Sequence, residues 1–574
     1  NSTTSVTIAG IHASNARPTN ISNNIVRNVS YTANGTISST GALQVAGIYR
    51  VSGAAANTIE NNQVNNIRSS SPYTGSGANV SLSGIYVAAS STGQSVARNT
   101  VHTIVHAHPT NAVHTNGIFY NGTTGTNTIE RNLIHSVNVS SNNAAATSTG
   151  LHIQAGNSAV QNNMIRMGIF ADATSVVNPN VINGINEVAG VNNYYHNSVY
   201  IGGSSVTGAT NTFAFYSAVS SGTRAIQNNI FWNARSNGSG TGKHYAIRIG
   251  ATTGLTCNYN DLFANGTGAV LGANNTTDYA TIGAWQTGTS LDANSIAANP
   301  QFVSATGNVA TVDLHIDINQ STPIESAGVN IPSVTADYDG DDRAANTPTD
   351  IGADAGLFTG ADLTAPGITY TTISNVCNTA TSVSLTATIT DNSGVNVIAG
   401  TKPRLYFKKS TDANTVAGWQ YVEASNAASP FNFSFNFSAL GGLTAGETVQ
   451  YFVVAQDEGP LVITPNVAIN SGIFAATPSS VNLTATEFPI GGTINQFEIL
   501  PCEGTITVGT GGNYPAFTTA NGFFRAINSA TVSGNLIINV ISDITIEDGT
   551  HALNEFASPF TLTIQPDAAT LRTI

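Results

Sequence analysis

The carboxylates come first, because two of them at the right separation would hydrolyse a glycosidic bond. Between Ile21 and Leu262 the acids are Glu60, Glu130, Asp172, Glu187 and Asp261. A hydrolytic pair needs carboxyls about 5–10 Å apart. The stretch "VHTIVHAHPTNAVH" adds His102, His106, His108 and His114, a donor type that zinc uses. No thiolate or carboxylate lies close to them in sequence. They therefore read as surface histidines, His102 on an outward strand position and the others in a loop. "DYDGDD" sets Asp337, Asp339 and Asp341 at alternate positions around a glycine. Oxygen-rich turns of this kind suit calcium; the plainer reading is a closing turn tied to Arg343 and Asp350. The 3 cysteines, Cys257, Cys377 and Cys502, include no CxxC pair, so they form neither a zinc module nor a disulfide framework. Cys377 and Cys502 would pair in an oxidising compartment.

What must position these groups follows from composition. The chain has 574 residues, 18 basic and 31 acidic, a net charge of −13, yet only 9% of residues are charged. Asn, Ser, Thr and Gly supply the polarity instead, which suits an all-β extracellular protein better than a helical one. The acidic balance argues against nucleic acid, whose phosphates need many basic partners. No apolar run reaches the ~18–20 residues of a membrane span, so no membrane insertion is expected. The first residues, "NSTTSVTIAG", lack a start Met and a signal-peptide pattern, as after removal of a signal or in a piece of a longer protein.

Fragments such as "ISNNIVRNV", "IENNQVNNI", "IERNLIHSV" and "VQNNMIRMGIF" recur. Aligned on one asparagine they give Asn24, Asn62, Asn99, Asn132, Asn163, Asn197, Asn229 and Asn260, spaced by 38, 37, 33, 31, 34, 32 and 31 residues. Three positions earlier stand Ile21, Ile59, Val96, Ile129, Val160, Tyr194, Ile226 and Cys257; two positions later, Val26, Val64, Val101, Ile134, Ile165, Val199, Phe231 and Leu262. Upstream runs a small-then-apolar pair: Gly10-Ile11, Gly47-Ile48, Gly84-Ile85, Gly117-Ile118, Gly150-Leu151, Gly184-Ile185, Ala214-Phe215 and Ala246-Ile247. Alternating Ile and Val mark strands with one buried face. A unit this short cannot bury its own apolar face, so neighbours must stack, at about 4.8 Å per coil. The asparagine is expected at a coil corner, tolerating a left-handed backbone and bonding to the coils on either side. Cys257 falls on an inward position as a buried thiol. In this frame Glu60 and Glu130 share an outward position two coils apart, ~9.6 Å at the stacking distance, with Ala97 between them. A second outward column, Arg27, Asn65, His102, His135, Arg166, Tyr200, Trp232 and Phe263, turns from basic to aromatic. Its members Arg166, Tyr200, Trp232 and Phe263 are the candidate glycan-facing residues.

Residues 1–357 resemble the right-handed parallel β-helix of the pectate-lyase-like superfamily. The likeness is sharpest in the closing stretch 299–357, where "NPQFVS", "VDLHI", "STPIESAGV", "DYDGDDR" and "DIGADAG" come in the order that closes many secreted bacterial β-helices. Glu325 and Ala355 depart from the usual residues there. The Asp clusters of lyases and the paired Asp of polygalacturonases are missing, so the resemblance implies scaffold rather than catalysis. A linker at 358–366 leads to longer alternating strands at 367–465, expected as an immunoglobulin- or fibronectin-like β-sandwich with Phe431, Phe433, Phe435, Phe437 and Trp419 in its core. Residues 466–502 read as an extended linker. Residues 503–574 read as a strand, a short helix around Phe517–Ala530 and further strands: the amino-terminal cap and first coil of a second β-helix.

This order resembles the large repetitive cell-surface proteins secreted by the type IX system of Bacteroidota, including gliding-motility adhesins. The resemblance implies a non-enzymatic, extracellular structural and adhesive segment, repeated in tandem. Its partners would be surface polysaccharide or other cell-surface proteins, and no cofactor is expected beyond the calcium that the turn at Asp337, Asp339 and Asp341 allows. The competing reading is a carbohydrate-binding or polysaccharide-degrading β-helix protein.

Overall fold

The computed structural model describes residues 6–32, 43–52, 56–346, 348–458, 465–556 and 558–574. The chain is all-β, with 43% of residues in strands against 5% in helices. It divides into two compact units, Asn1–Ala361 and Asp362–Ile574. Among the described residues no helix is long and apolar enough to cross a membrane.

The first unit is a parallel β-solenoid. One sheet runs from Val6–Ala13 through Leu43–Ser52, Leu82–Ala89, His114–Glu130, Thr147–Gln161, Val181–Glu187, Thr212–Ser217 and His244–Ile249 to Ala269–Asn274. A second runs from Ile25–Arg27 through Gln63–Ser69, Thr100–His106, Leu133–Val139 and Met164–Met167 to Asp261–Ala264. Equivalent residues pair across every coil, as in Ile59↔Val96, Val101↔Ile134 and Val199↔Phe231. The aligned apolar columns are buried between the sheets, Cys257 among them as a free thiol. The small residue before each inward Ile is dictated by space. A Cβ on Gly47 would lie 2.3 Å from Val64 Cγ1 and 2.7 Å from the Gly84 carbonyl oxygen.

The asparagine column is a continuous hydrogen-bonded ladder. Each side-chain amide donates to the carboxamide oxygen of the next coil: Asn24 to Asn62 at 2.9 Å, Asn99 to Asn132 at 3.0 Å, Asn163 to Asn197 at 2.9 Å, Asn229 to Asn260 at 3.1 Å. The same oxygen accepts the preceding asparagine's backbone N–H, as from Asn132 to Asn163 at 3.1 Å. The amide also reaches back one coil, Asn163 to the Ile129 carbonyl at 2.9 Å. At the end Asn260 donates to Asp292, whose other oxygen accepts the Trp285 indole N–H. The backbone differs from expectation. The left-handed residue is the one before the ladder: Asn23, Asn61, Arg98, Arg131, Asn162, His196, Asn228 and Tyr259, with φ between 52° and 59°. The corner is turned there, which frees the ladder asparagine to point inward.

A helix at Ile282–Thr289 closes the solenoid with fully buried Trp285. The sequence hid it behind Gly283, Gly288 and the threonines, poor helix formers; packing of one indole decides the conformation. The closing stretch then doubles back along the flank and is held by the corner residues. Arg131 Nε donates to the Tyr338 carbonyl at 2.6 Å, Asn162 to the Ala336 carbonyl at 2.8 Å and Asn228 to the Val329 carbonyl at 2.6 Å.

In the second unit, Gly367–Tyr370, Ser382–Thr390 and Phe431–Asn436 form one antiparallel sheet. A second, six-stranded sheet includes Arg404–Lys409, Thr448–Gln456 and Asn495–Leu500. Phe431, Phe433, Phe435 and Phe437 are buried together, and the Phe407 and Phe435 rings stack at 3.8 Å. Trp419 packs elsewhere, in a separate cluster with Tyr406, Phe452, Val481, Leu483 and Phe488. Segment 466–502 is therefore no linker. Val467–Asn470 and Asn495–Leu500 both pair with Thr448–Gln456. The intervening Val481, Leu483, Phe488 and Ile490 cover that sheet's outer face. Scattered among Thr, Pro and Gly, these apolar residues show no periodicity. A disulfide joins Cys377 to Cys502. Beyond it, Gly504–Val508, Leu536–Val540 and Leu562–Pro566 form a parallel sheet beside a helix confined to Phe523–Asn528.

Two outcomes follow. Asn163→Ala strands buried partners on both sides and should cost the solenoid roughly 3–5 kcal/mol in chemical denaturation, whereas Asn24→Ala at the half-buried ladder start should cost about 1 kcal/mol. Reducing the Cys377–Cys502 bridge, which spans 125 residues, should lower the second unit's stability by about 5 kcal/mol on chain-entropy grounds; calorimetry with and without reductant measures it.

Candidate functional site

Four of the five acids of the coils are occupied by their neighbours. Glu60 pairs with Arg98 at 2.5 Å, Glu130 accepts from Gln161 Nε2 at 2.7 Å, and Asp172 accepts from Thr174. Glu187 is buried, accepts from Ser217 and Asn192, and has its pKa raised by that burial. Asp261 is buried with one oxygen unpartnered, and desolvation pushes its pKa well up. The histidines do not gather either. His106 ends a strand and is buried rather than lying in a loop; His114 opens the next strand, and His102 stacks on His135 at 4.9 Å. Among the described residues none of these four histidines converges with other ligand groups on a metal-sized point.

The outward column from Arg27 to Phe263 is in register, as His102↔His135, Arg166↔Tyr200 and Trp232↔Phe263 pairing shows, but Arg166, Tyr200 and Trp232 are not free. Arg166 is 0% exposed; its guanidinium donates to the carbonyls of Ile169, Phe170 and Gly307 and to Ser136 Oγ. Tyr200 is buried against Leu314, Ala305 and Ala353 of the closing stretch, and Trp232 stacks on Phe302 at 5.9 Å. The column from Arg166 to Trp232 is thus the seam on which the closing stretch lies. Its apolar residues need a surface, and this one offers aromatic rings. Phe263, at half-exposure, packs against Trp232.

The three aspartates of "DYDGDD" do not converge. Asp337 is buried and accepts from the backbone N–H groups of Gly340, Asp341 and Ala355, so it shapes the turn. Arg343 donates to Asn162 and to the Gly352 and Ala353 carbonyls, and Asp350 accepts from the Ser326 and Gly356 N–H groups.

An open groove lies on the other sheet. One residue after each small-apolar pair, His12, Tyr49, Tyr86, Phe119, His152, Asn186, Tyr216 and Arg248 stand in register. The first rings pile up, with centroids at 5.1 Å for His12–Tyr49, 4.6 Å for Tyr49–Tyr86, 4.6 Å for Tyr86–Phe119 and 5.2 Å for Phe119–His152. A turn at Gly77–Asn79 covers their middle, and Tyr86 Oη donates to the Ala78 carbonyl at 2.8 Å. Past that turn the column opens into a groove of about 560 Å³, floored by Asn116, Thr149, His152, Asn183, Asn186 and Tyr216, with Phe213 and Arg248 at its far end.

The groove mixes amides and hydroxyls with Val80, Val181, Val188 and Phe213, and it is nearly uncharged. Burial pushes His152 down to about 4, so it is neutral at pH 7, with Gln154 and Asn186 at its two ring nitrogens. Arg248 lies 5.0 Å from the Tyr216 ring centroid and donates to the Asn275 carbonyl. Among the described residues no carboxylate lines the groove. Such a surface can stack a flat apolar face and bond hydroxyls, and it lacks the carboxyl pair for glycosidic hydrolysis. The sequence carried the signal in "GIY", "GIY", "GIF" and "GLH", next to a column already assigned to the core.

Burial also sets a pH response. Desolvation, with smaller contributions from His108 and His114, pushes His106 down to about 3. Below pH ~6.5 the unfolded chain takes up a proton that the folded chain refuses, so stability present above that pH is lost as pH falls toward the folded value. Denaturation curves at pH 7 and pH 5 should show His106→Gln losing about 2 kcal/mol less than the parent chain across that interval. Comparisons with protein-family models, with curated proteins and with solved structures returned no match.

Proposed function

We propose that the chain is a non-catalytic structural and adhesive segment of an extracellular protein, and that it holds glycans in the groove beside His152, Asn186 and Tyr216. The observation that carries this reading is the groove's chemistry: the rings of His152, Phe213 and Tyr216, amides and hydroxyls, one guanidinium and, among the described residues, no lining carboxylate. Aromatic rings present flat faces to the C–H faces of sugars, while amides satisfy their hydroxyls. The second unit fits the same reading as an immunoglobulin-like spacer, with two sheets packed on a phenylalanine core. The parallel strands after Cys502 fit the first coil of a second β-helix. Tandem copies of such a unit would place many grooves along one cell-surface protein.

Glycan-array binding by the intact chain, followed by titration of the best hit, tests the proposal. Tyr216→Ala and Arg248→Ala should each weaken binding about tenfold, the effect of losing roughly 1.4 kcal/mol. Unchanged binding in both variants would refute the groove assignment. Release of new reducing ends or unsaturated products from a bound polysaccharide would refute the non-catalytic part.

A further inference from the structure

The closing stretch brings together a donor set distinct from the calcium turn expected of "DYDGDD". While Asp337 turns inward, Asp339 turns out toward His315, whose Nε2 lies 2.9 Å from Asp339 Oδ2. Asp354 completes the group: one ligand atom from each of His315, Asp339 and Asp354 lies within 4.8 Å of the others. We propose that these three residues bind a divalent transition-metal ion, with zinc the best match.

Three features support the site. The first is ligand chemistry. Calcium takes about 6–8 oxygens, whereas an imidazole nitrogen with two carboxylates and room for water matches zinc, whose ligands sit about 2.0–2.2 Å from the metal.

The second is the orientation of the imidazole, which is fixed through its other ring nitrogen. His315 Nδ1 bonds Asp313 Oδ1 at 2.5 Å, and that oxygen also accepts the His315 backbone N–H at 2.9 Å. Metal-bound histidines are typically held this way, one ring nitrogen on a carboxylate and the other on the metal. The Tyr338 ring packs edge-on against the imidazole at 5.5 Å.

The third is that Asp354 is preset: its Oδ2 accepts the Ile316 backbone N–H at 2.8 Å. The metal would tie together the Asp313–Ile316 strand, the turn at Asp339 and the stretch at Asp354, three separate pieces of the closing segment. Without metal, a protonated His315 clamped between Asp313 and Asp339 uses the same contacts, so the experiment must separate the two arrangements.

The full chain, stripped with chelator and dialysed, is titrated with zinc chloride by calorimetry, and its melting temperature is followed with and without zinc. One equivalent should bind and raise the melting temperature, and excess calcium or magnesium should not displace it. Asp339→Asn and His315→Gln should remove that equivalent, and Asp313→Asn should weaken it about 10–100-fold by loosening the ring. Asp339 is exposed, so its variant carries the test if His315→Gln fails to fold. No zinc uptake by the parent chain, or uptake unchanged in Asp339→Asn, overturns the proposal and leaves the imidazolium clamp.

Discussion

The solenoid depends on one asparagine amide per coil. Each amide is tied to three coils: it donates forward to the next carboxamide and back to the previous coil's carbonyl, and its own oxygen takes two donors from behind. All these dipoles point the same way, so each bond polarises the next. A polarised row needs an acceptor at its end, and the Asp292 carboxylate provides it while receiving the indole of the closing Trp285. End closure and ladder are thus one network. Because the ladder fixes register at a single corner, spacing between successive asparagines can vary from 31 to 38 residues without disturbing the stack. Extra residues leave through loops.

Buried arginines fasten several of those loops. Arg50 is fully buried and donates to the carbonyls of Ala13, Asn15 and Arg17; Arg235 donates to those of Gly202 and Val176. A guanidinium has five donors in a rigid fork, enough to satisfy several turn carbonyls at once. This explains how so few charges suffice. A chain with 9% charged residues still has irregular segments whose backbone oxygens need partners, and it spends several of its arginines on them.

What could be read in the sequence was what repeats locally. The inward columns, the ladder and the outward register of Arg27 to Phe263 all follow from fixed offsets within a coil, and the strand pairing agrees. What could not be read was coverage. Whether Arg166 meets solvent is decided by Gly307, 141 residues away, and whether Tyr86 does is decided by a turn at Ala78. Residues 466–502 escaped for the same reason, since their apolar residues find partners in strands already formed and need no period of their own. The zinc-type donor set lay hidden because Asp339 belonged by sequence to "DYDGDD" but by geometry to His315.

The two outer faces of the solenoid show why coverage rather than register decides which residues stay open. Both carry an in-register column that includes aromatic rings and histidines, and stacking of like rings at about 5 Å follows from the coil spacing in either case. One face is covered from Arg166 to Trp232 by the closing stretch, whose Leu314, Ala305 and Phe302 are too apolar to stay in water. The other is covered only as far as the turn at Gly77–Asn79, and there the rings give way to Asn186, Tyr216 and Arg248. A repeat necessarily offers the same surface many times over. Here the added segments select where that surface stays open, so the groove is defined as much by what stops short of it as by the residues that floor it.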